Sequence, residues 1–189
     1  MSETTLISHC APTLAGLKSG NLFTCYCPSL KEAVTVVRNW NAVPGPKGVR
    51  VRILRYSGSR VLIYVYRPAK LDADLSAPEA HKLLKRYGYK GGSTDSYINT
   101  LAKKINRSGE FPHEIGLFLG YPPQDVKSFI ENNGMNSAYT GYWKVYNDID
   151  KARETFRKFS KCTHVYSRCM REGSTLDRLT VRNTASRVS

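Results

Sequence analysis

From Val49 to Arg67 the chain alternates: Val49, Val51 and Ile53 take turns with Arg50 and Arg52, and Val61, Ile63 and Val65 take turns with Leu62, Tyr64 and Tyr66. Period-two alternation either side of Ser57-Gly58-Ser59 predicts a β-hairpin over about 49–67, one face aliphatic and set on a core, the other bearing arginines and tyrosines. Elsewhere the spacing is helical. Ala33, Val36, Val37 and Trp40 share one face of a helix over about 30–40 that Pro44-Gly-Pro-Lys-Gly48 terminates. Ile149, Ala152, Phe156, Phe159, Thr163, Tyr166 and Met170 form the stripe of a long C-terminal helix, capped by Asp148 and stopped at Gly173.

Weaker signals fill the remainder. A helix is expected over 4–19, interrupted by Pro12, with further helices over 77–88 and 94–107. Leu22–Cys27 and Thr140–Tyr146 read as strands. Pro112, with Glu114 near the positive end of a helix dipole, opens one short helix, and Pro123 opens a second after a turn at Gly120–Pro122. The outcome is an α+β fold, a small antiparallel sheet packed with several helices. A single globular domain over 1–179 is expected, followed by a tail over 180–189 too poor in apolar residues to pack.

Composition narrows the class. The chain has 189 residues, 41% hydrophobic, and five cysteines, an odd number in a chain long enough to fold without staples, which fits reduced thiols in a cytoplasm. Neither a signal-peptide pattern nor a run of roughly 18 apolar residues is visible, so export and membrane insertion are not expected. The formal net charge is +14, a balance that draws nucleic acid and other polyanions. It is unevenly spread: Lys and Arg exceed Asp and Glu by 11 over 31–108 and by 7 over 151–189, whereas 109–135 carries −3.

Several constellations could carry chemistry. Residues 114–130 have the spacing of a helix-turn-helix, with Gly116 permitting close helix approach and Gly120 relieving the turn. The exposed side of its second helix would present Gln124, Asp125, Lys127, Ser128 and Glu131, an acidic set unsuited to phosphate. A second nucleic-acid route is the hairpin face of Arg50, Arg52, Tyr64 and Tyr66, a basic-aromatic platform for unpaired bases. His113 and Glu114 are candidate acid–base residues, although Leu117 stands where a zinc-protease motif needs a second histidine. Cys10 is a candidate thiolate nucleophile. The pairs Cys25/Cys27 and Cys162/Cys169 lack metal-knuckle spacing, so no metal site is assigned. Tyr139, Tyr142, Trp143 and Tyr146 with Lys144, joined by Arg67, are candidates to line a pocket for a planar ligand such as haem or flavin; the sequence names no cofactor.

The run EFPHEIGLFLGYPPQDVKSFIENNG with SAYTGYWKVYND, together with HCAPTLAGLK and the hairpin ending in Tyr66-Arg67, resembles the bacterial family known as domain of unknown function 3793, over most of the chain. That resemblance implies an anaerobic host, genes neighbouring flavodoxins and iron-transport components, and hence a redox or iron-metabolism protein as partner. It supplies no catalytic residue. The resulting expectation is a ligand-binding or accessory protein rather than an enzyme; the alternatives are a nucleic-acid-binding protein and an enzyme with a thiol or histidine centre.

Overall fold

The computed structural model describes residues 1–107, 111–182 and none of 108–110 or 183–189. It divides into two compact units, Met1–Ala69 with the described residues from Lys161 onward, and Lys70–Ser160. The fold is α+β.

The first unit is built on a three-stranded antiparallel sheet of β1 (Gly20–Tyr26), β2 (Arg50–Ser57) and β3 (Arg60–Tyr66), in the order β1-β3-β2. Ser57 pairs with Arg60, leaving Gly58 (φ 55°) and Ser59 (φ 61°) as the two turn residues. Positive φ at both is the type I′ signature, whose twist matches that of the strands. The register slips between Ile53 and Arg55, a bulge at which Leu54 is buried. That face joins α1 (Glu3–Leu14) and α2 (Leu30–Ala42) in one core, where Leu6, Leu14, Trp40, Val61, Ile63 and Val65 are buried. Ser2 and Ser29 cap the two helices by accepting from Thr5 N–H and Glu32 N–H. Asn41, in the last turn of α2, donates to Val51 O and accepts from Val51 N–H, both at 2.8 Å, standing in for a neighbouring strand on the open edge of β2.

The second unit is mainly helical. α3 (Pro68–Ser76), α4 (Pro78–Arg86) and α5 (Thr94–Arg107) precede two short helices, α6 (Ile115–Phe118) and α7 (Pro123–Glu131). The expected strand over 140–146 is instead a two-rung hairpin, β4 (Tyr139–Thr140) with β5 (Lys144–Val145). Its reversal at Gly141-Tyr142-Trp143 follows from packing: a Cβ on Gly141 would lie 2.3 Å from the Phe156 ring, so the backbone lies flat on that ring and turns there. α8 (Ile149–Arg171) begins where Asp148 accepts from Lys151 N–H, as expected, and ends just before Gly173, at φ 86°.

The expected tail is shorter than 180–189 at its start. Thr180, which follows α9 (Leu176–Leu179), is buried and donates to Leu176 O, and Val181 N–H donates to Leu14 O. These hydrogen bonds hold the segment without apolar content; residues 183–189 of the expectation lie outside the described residues.

Candidate functional site

The turn after α6 and the β4–β5 hairpin enclose a cavity of about 290 Å³ in the second unit. Gly116 is one reason it exists: a Cβ there would sit 2.8 Å from Val126 Cγ2 and 3.1 Å from Tyr121 Cδ2, so only glycine lets α6 and α7 come this close. Gly120, at φ 70°, supplies the turn between them. Tyr121 then stacks on Trp143 at 5.1 Å and 29°, and Trp143 meets Phe156 edge-on at 4.4 Å. Phe111, Ile115, Val126 and Phe129 complete a largely apolar lining.

Trp143 is fixed by Asp125, which is 4% exposed. Its Oδ2 accepts from Trp143 Nε1 at 2.9 Å, while Oδ1 accepts from Tyr146 N–H at 3.0 Å, Asn147 N–H at 3.2 Å and Asn147 Nδ2 at 3.0 Å. Four donors satisfy this carboxylate, so it holds the wall and has little left for a ligand. Burial pushes the Tyr121 phenol up to about 12, which keeps it neutral.

Two cation-capable groups border the cavity. Lys144 donates to Gly134 O, its ammonium 6.0 Å from the Phe129 centroid. The exposed His113 meets the same Phe129 ring at 5.2 Å and 68°, and its nitrogens make no hydrogen bond among the described residues.

Of the residues expected to bind a ligand, the fold brings together Trp143 and Lys144 and adds His113. Tyr142 lines a separate open groove with Tyr139. Arg67 belongs to the first unit and is no ligand group: its guanidinium, 2% exposed, donates to Thr13 O and Leu14 O at 2.6 Å and to Val181 O at 2.7 Å. The Tyr146 hydroxyl is buried without a partner among the described residues.

The remaining expectations need correction. Glu114 does not work with His113, because it is buried and accepts from Lys104 Nζ at 2.9 Å and from Tyr89 Oη at 3.3 Å. Cys10 is fully buried and burial raises its thiol well above the usual range, the reverse of what a nucleophile needs. Tyr64 and Tyr66 are buried and stacked on each other at 5.0 Å, so with Arg50 and Arg52 they form no open platform for bases; alternation assigns faces but not what covers them. In the 114–130 segment, α6 is a single turn, too short for the first helix of such a motif, and Asp125 points inward, while Gln124, Lys127 and Glu131 stay exposed. Among the described residues no three His, Cys, Asp or Glu side chains group as a metal site, and no helix is long and apolar enough to cross a membrane.

Tyr121, Phe129 and Gly141 were not singled out from sequence as site residues. The first two lie inside the signature run, and Gly141 interrupts an aromatic stretch, which was the available signal.

Comparison with known proteins agrees with the signature run. No curated protein and no solved structure matches the chain. A family described as a protein of unknown function, DUF3793, matches residues 6–180, a span that contains the whole cavity, and the chain belongs to that family.

Proposed function

We propose that this DUF3793 protein binds a small planar molecule carrying an anionic group, held in the cavity between Trp143 and Phe129. The observation that carries the reading is the combination of an aromatic-walled space with His113 and Lys144 at its border, while the wall carboxylate Asp125 is already engaged by four donors. Such a pocket binds by burying rings and orients by one or two polar groups. At about 290 Å³ it lies at the lower end of the usual range for ligand sites, which favours a one- or two-ring molecule over a haem or an entire flavin cofactor. Binding is favoured over turnover because, among the described residues, His113 has no hydrogen-bonded acid–base partner, Glu114 being tied to Lys104 and Tyr89. In this reading, a link to iron or redox metabolism runs through the ligand or a protein partner.

The chain has two tryptophans, so Trp40→Phe leaves Trp143 as sole reporter. Titration with benzoate and 2-naphthoate should change its emission and raise the melting temperature, with uncharged 2-naphthalenemethanol about tenfold weaker. Lys144→Met should erase that difference. No response to any of the three at millimolar concentration would mark the cavity as a packing gap, and equal binding of charged and uncharged probes would remove the anionic part of the proposal.

A further inference from the structure

The second unit has another concavity, open to solvent and enclosing about 980 Å³, lined by Tyr139, Tyr142, Asp150, Arg153, Phe156 and Arg157. The rings of Tyr139 and Tyr142 are 36% and 40% exposed, high values for aromatic side chains. Phe156 supports both, with centroids 6.0 Å from Tyr139 and 5.5 Å from Tyr142. Arg153 lies over Tyr139, its guanidinium carbon 5.1 Å from the ring centroid. Arg157, one turn later, is exposed and lies near the carboxylate of Glu154, which is itself paired with Lys158. The groove's own carboxylate, Asp150, reaches Arg153 only at 4.0 Å, a surface contact of little strength.

In the part of α8 that lies in the second unit, Arg153 and Arg157 are one turn apart on the same face and both are exposed, beside the exposed rings of Tyr139 and Tyr142.

We infer that this groove is a binding site for single-stranded nucleic acid, with bases stacking on Tyr142 and on the Arg153 guanidinium layered over Tyr139, and phosphates pairing with Arg153 and Arg157. Exposed rings interleaved with arginines are the chemistry that holds unpaired bases without reading their sequence. A bare polyanion site would need the charges and not the rings. The groove differs from the cavity of Trp143 and Phe129 in its residues and its ligand, and stands independently of it.

Fluorescence anisotropy of the full chain with labelled 12-nucleotide oligo-U and oligo-dT, between 50 and 300 mM KCl, tests this. Affinity should fall steeply with salt. Arg153→Ala with Arg157→Ala should weaken binding more than tenfold at 50 mM and reduce the log–log salt slope by about 1.4, at roughly 0.7 per single-strand phosphate. Tyr139→Ala with Tyr142→Ala should weaken binding about tenfold and leave the slope unchanged. Tyr142→Phe, which keeps the ring and its packing on Phe156, should bind like the unaltered protein, separating lost stacking from lost fold. Three results would each overturn the inference: no binding at 50 mM, full affinity in a folded double-tyrosine variant, or displacement of the oligonucleotide by inorganic polyphosphate at equal charge concentration.

Discussion

Among the described residues, the charged side chains buried in the first unit are cations, Lys18 and Arg67, and those buried in the second are anions, Glu114 and Asp125. The partners follow the sign. Arg67 is taken up by backbone carbonyls, whereas Asp125 is taken up by backbone and side-chain N–H groups and Glu114 by Lys104 and Tyr89. Each unit thus removes one sign of charge from its own surface. In the second unit this changes the meaning of the acidic stretch: of the four carboxylates in 109–135, Glu114 and Asp125 are interior, so the local charge count overstates how acidic the surface is. The cations Lys144, Arg153 and Arg157 are left at the mouths of the cavity and the groove.

The sharpest way to break this contrast is at Arg67. Arg67→Ala strips three short, charge-assisted hydrogen bonds from buried carbonyls and empties a buried volume, so urea unfolding should show a loss of about 5 kcal/mol. Arg67→Lys should recover only a small part, because one ammonium cannot reproduce the planar fork that reaches Thr13, Leu14 and Val181 together. Full stability in Arg67→Lys would show that charge alone matters there.

The anionic counterpart is Asp125. Asp125→Ala orphans Trp143 Nε1–H and the N–H groups of Tyr146 and Asn147, at a cost of about 3 kcal/mol. Because the same residue holds the wall of the cavity, Trp143 emission should shift to the red in the folded variant and benzoate should no longer alter it. An unshifted emission would mean that Trp143 is positioned by Tyr121 and Phe156 alone.

These two residues also show what could be read from sequence. The hairpin was legible because alternation over β2 and β3 is a local property, and α5 was legible to its ends because Tyr97, Ile98, Leu101 and Ile105 recur at helical spacing. α3 was not, since Leu71 and Leu75 are its only buried residues. The site was half legible: the signature run contains His113, Trp143 and Lys144, but the inward turn of Glu114 and Asp125 is a tertiary choice, and a carboxylate in sequence reads as surface. The same holds for Arg67, which looked like a ligand group because nothing local announces three carbonyls contributed by Thr13, Leu14 and Val181. Arg153 and Arg157 drew no reading from the sequence, since the turn that brings Tyr139 and Tyr142 beside them depends on Gly141 lying on Phe156.

The smallest of the expected effects comes from the other buried cation. Lys18 is 5% exposed, and burial, opposed by the neighbouring Cys10, brings its ammonium from the ordinary 10.5 down to about 8. Below about pH 8 the lysine is charged in both folded and unfolded chains, and the folded state bears the whole cost of burying it. Between about 8 and 10.5 the folded state gives up the proton while the unfolded chain keeps it, so stability rises with pH by at most about 1.4 kcal/mol per unit. Cys10, Cys162 and Tyr166 act in the opposite sense, because burial raises each of them, Cys162 to about 11 and Tyr166 to about 12. The unfolded thiols are half ionised at 9.0 and Cys25 is raised as well, so over pH 7.5 to 9 these groups oppose Lys18, and its contribution is read as the difference between the unaltered protein and Lys18→Met. Denaturation over that interval should show Lys18→Met losing stability with pH, and the stability of the unaltered protein relative to it rising by about 1 kcal/mol. If that difference does not change with pH, the first unit keeps its buried amine charged as firmly as it keeps Arg67.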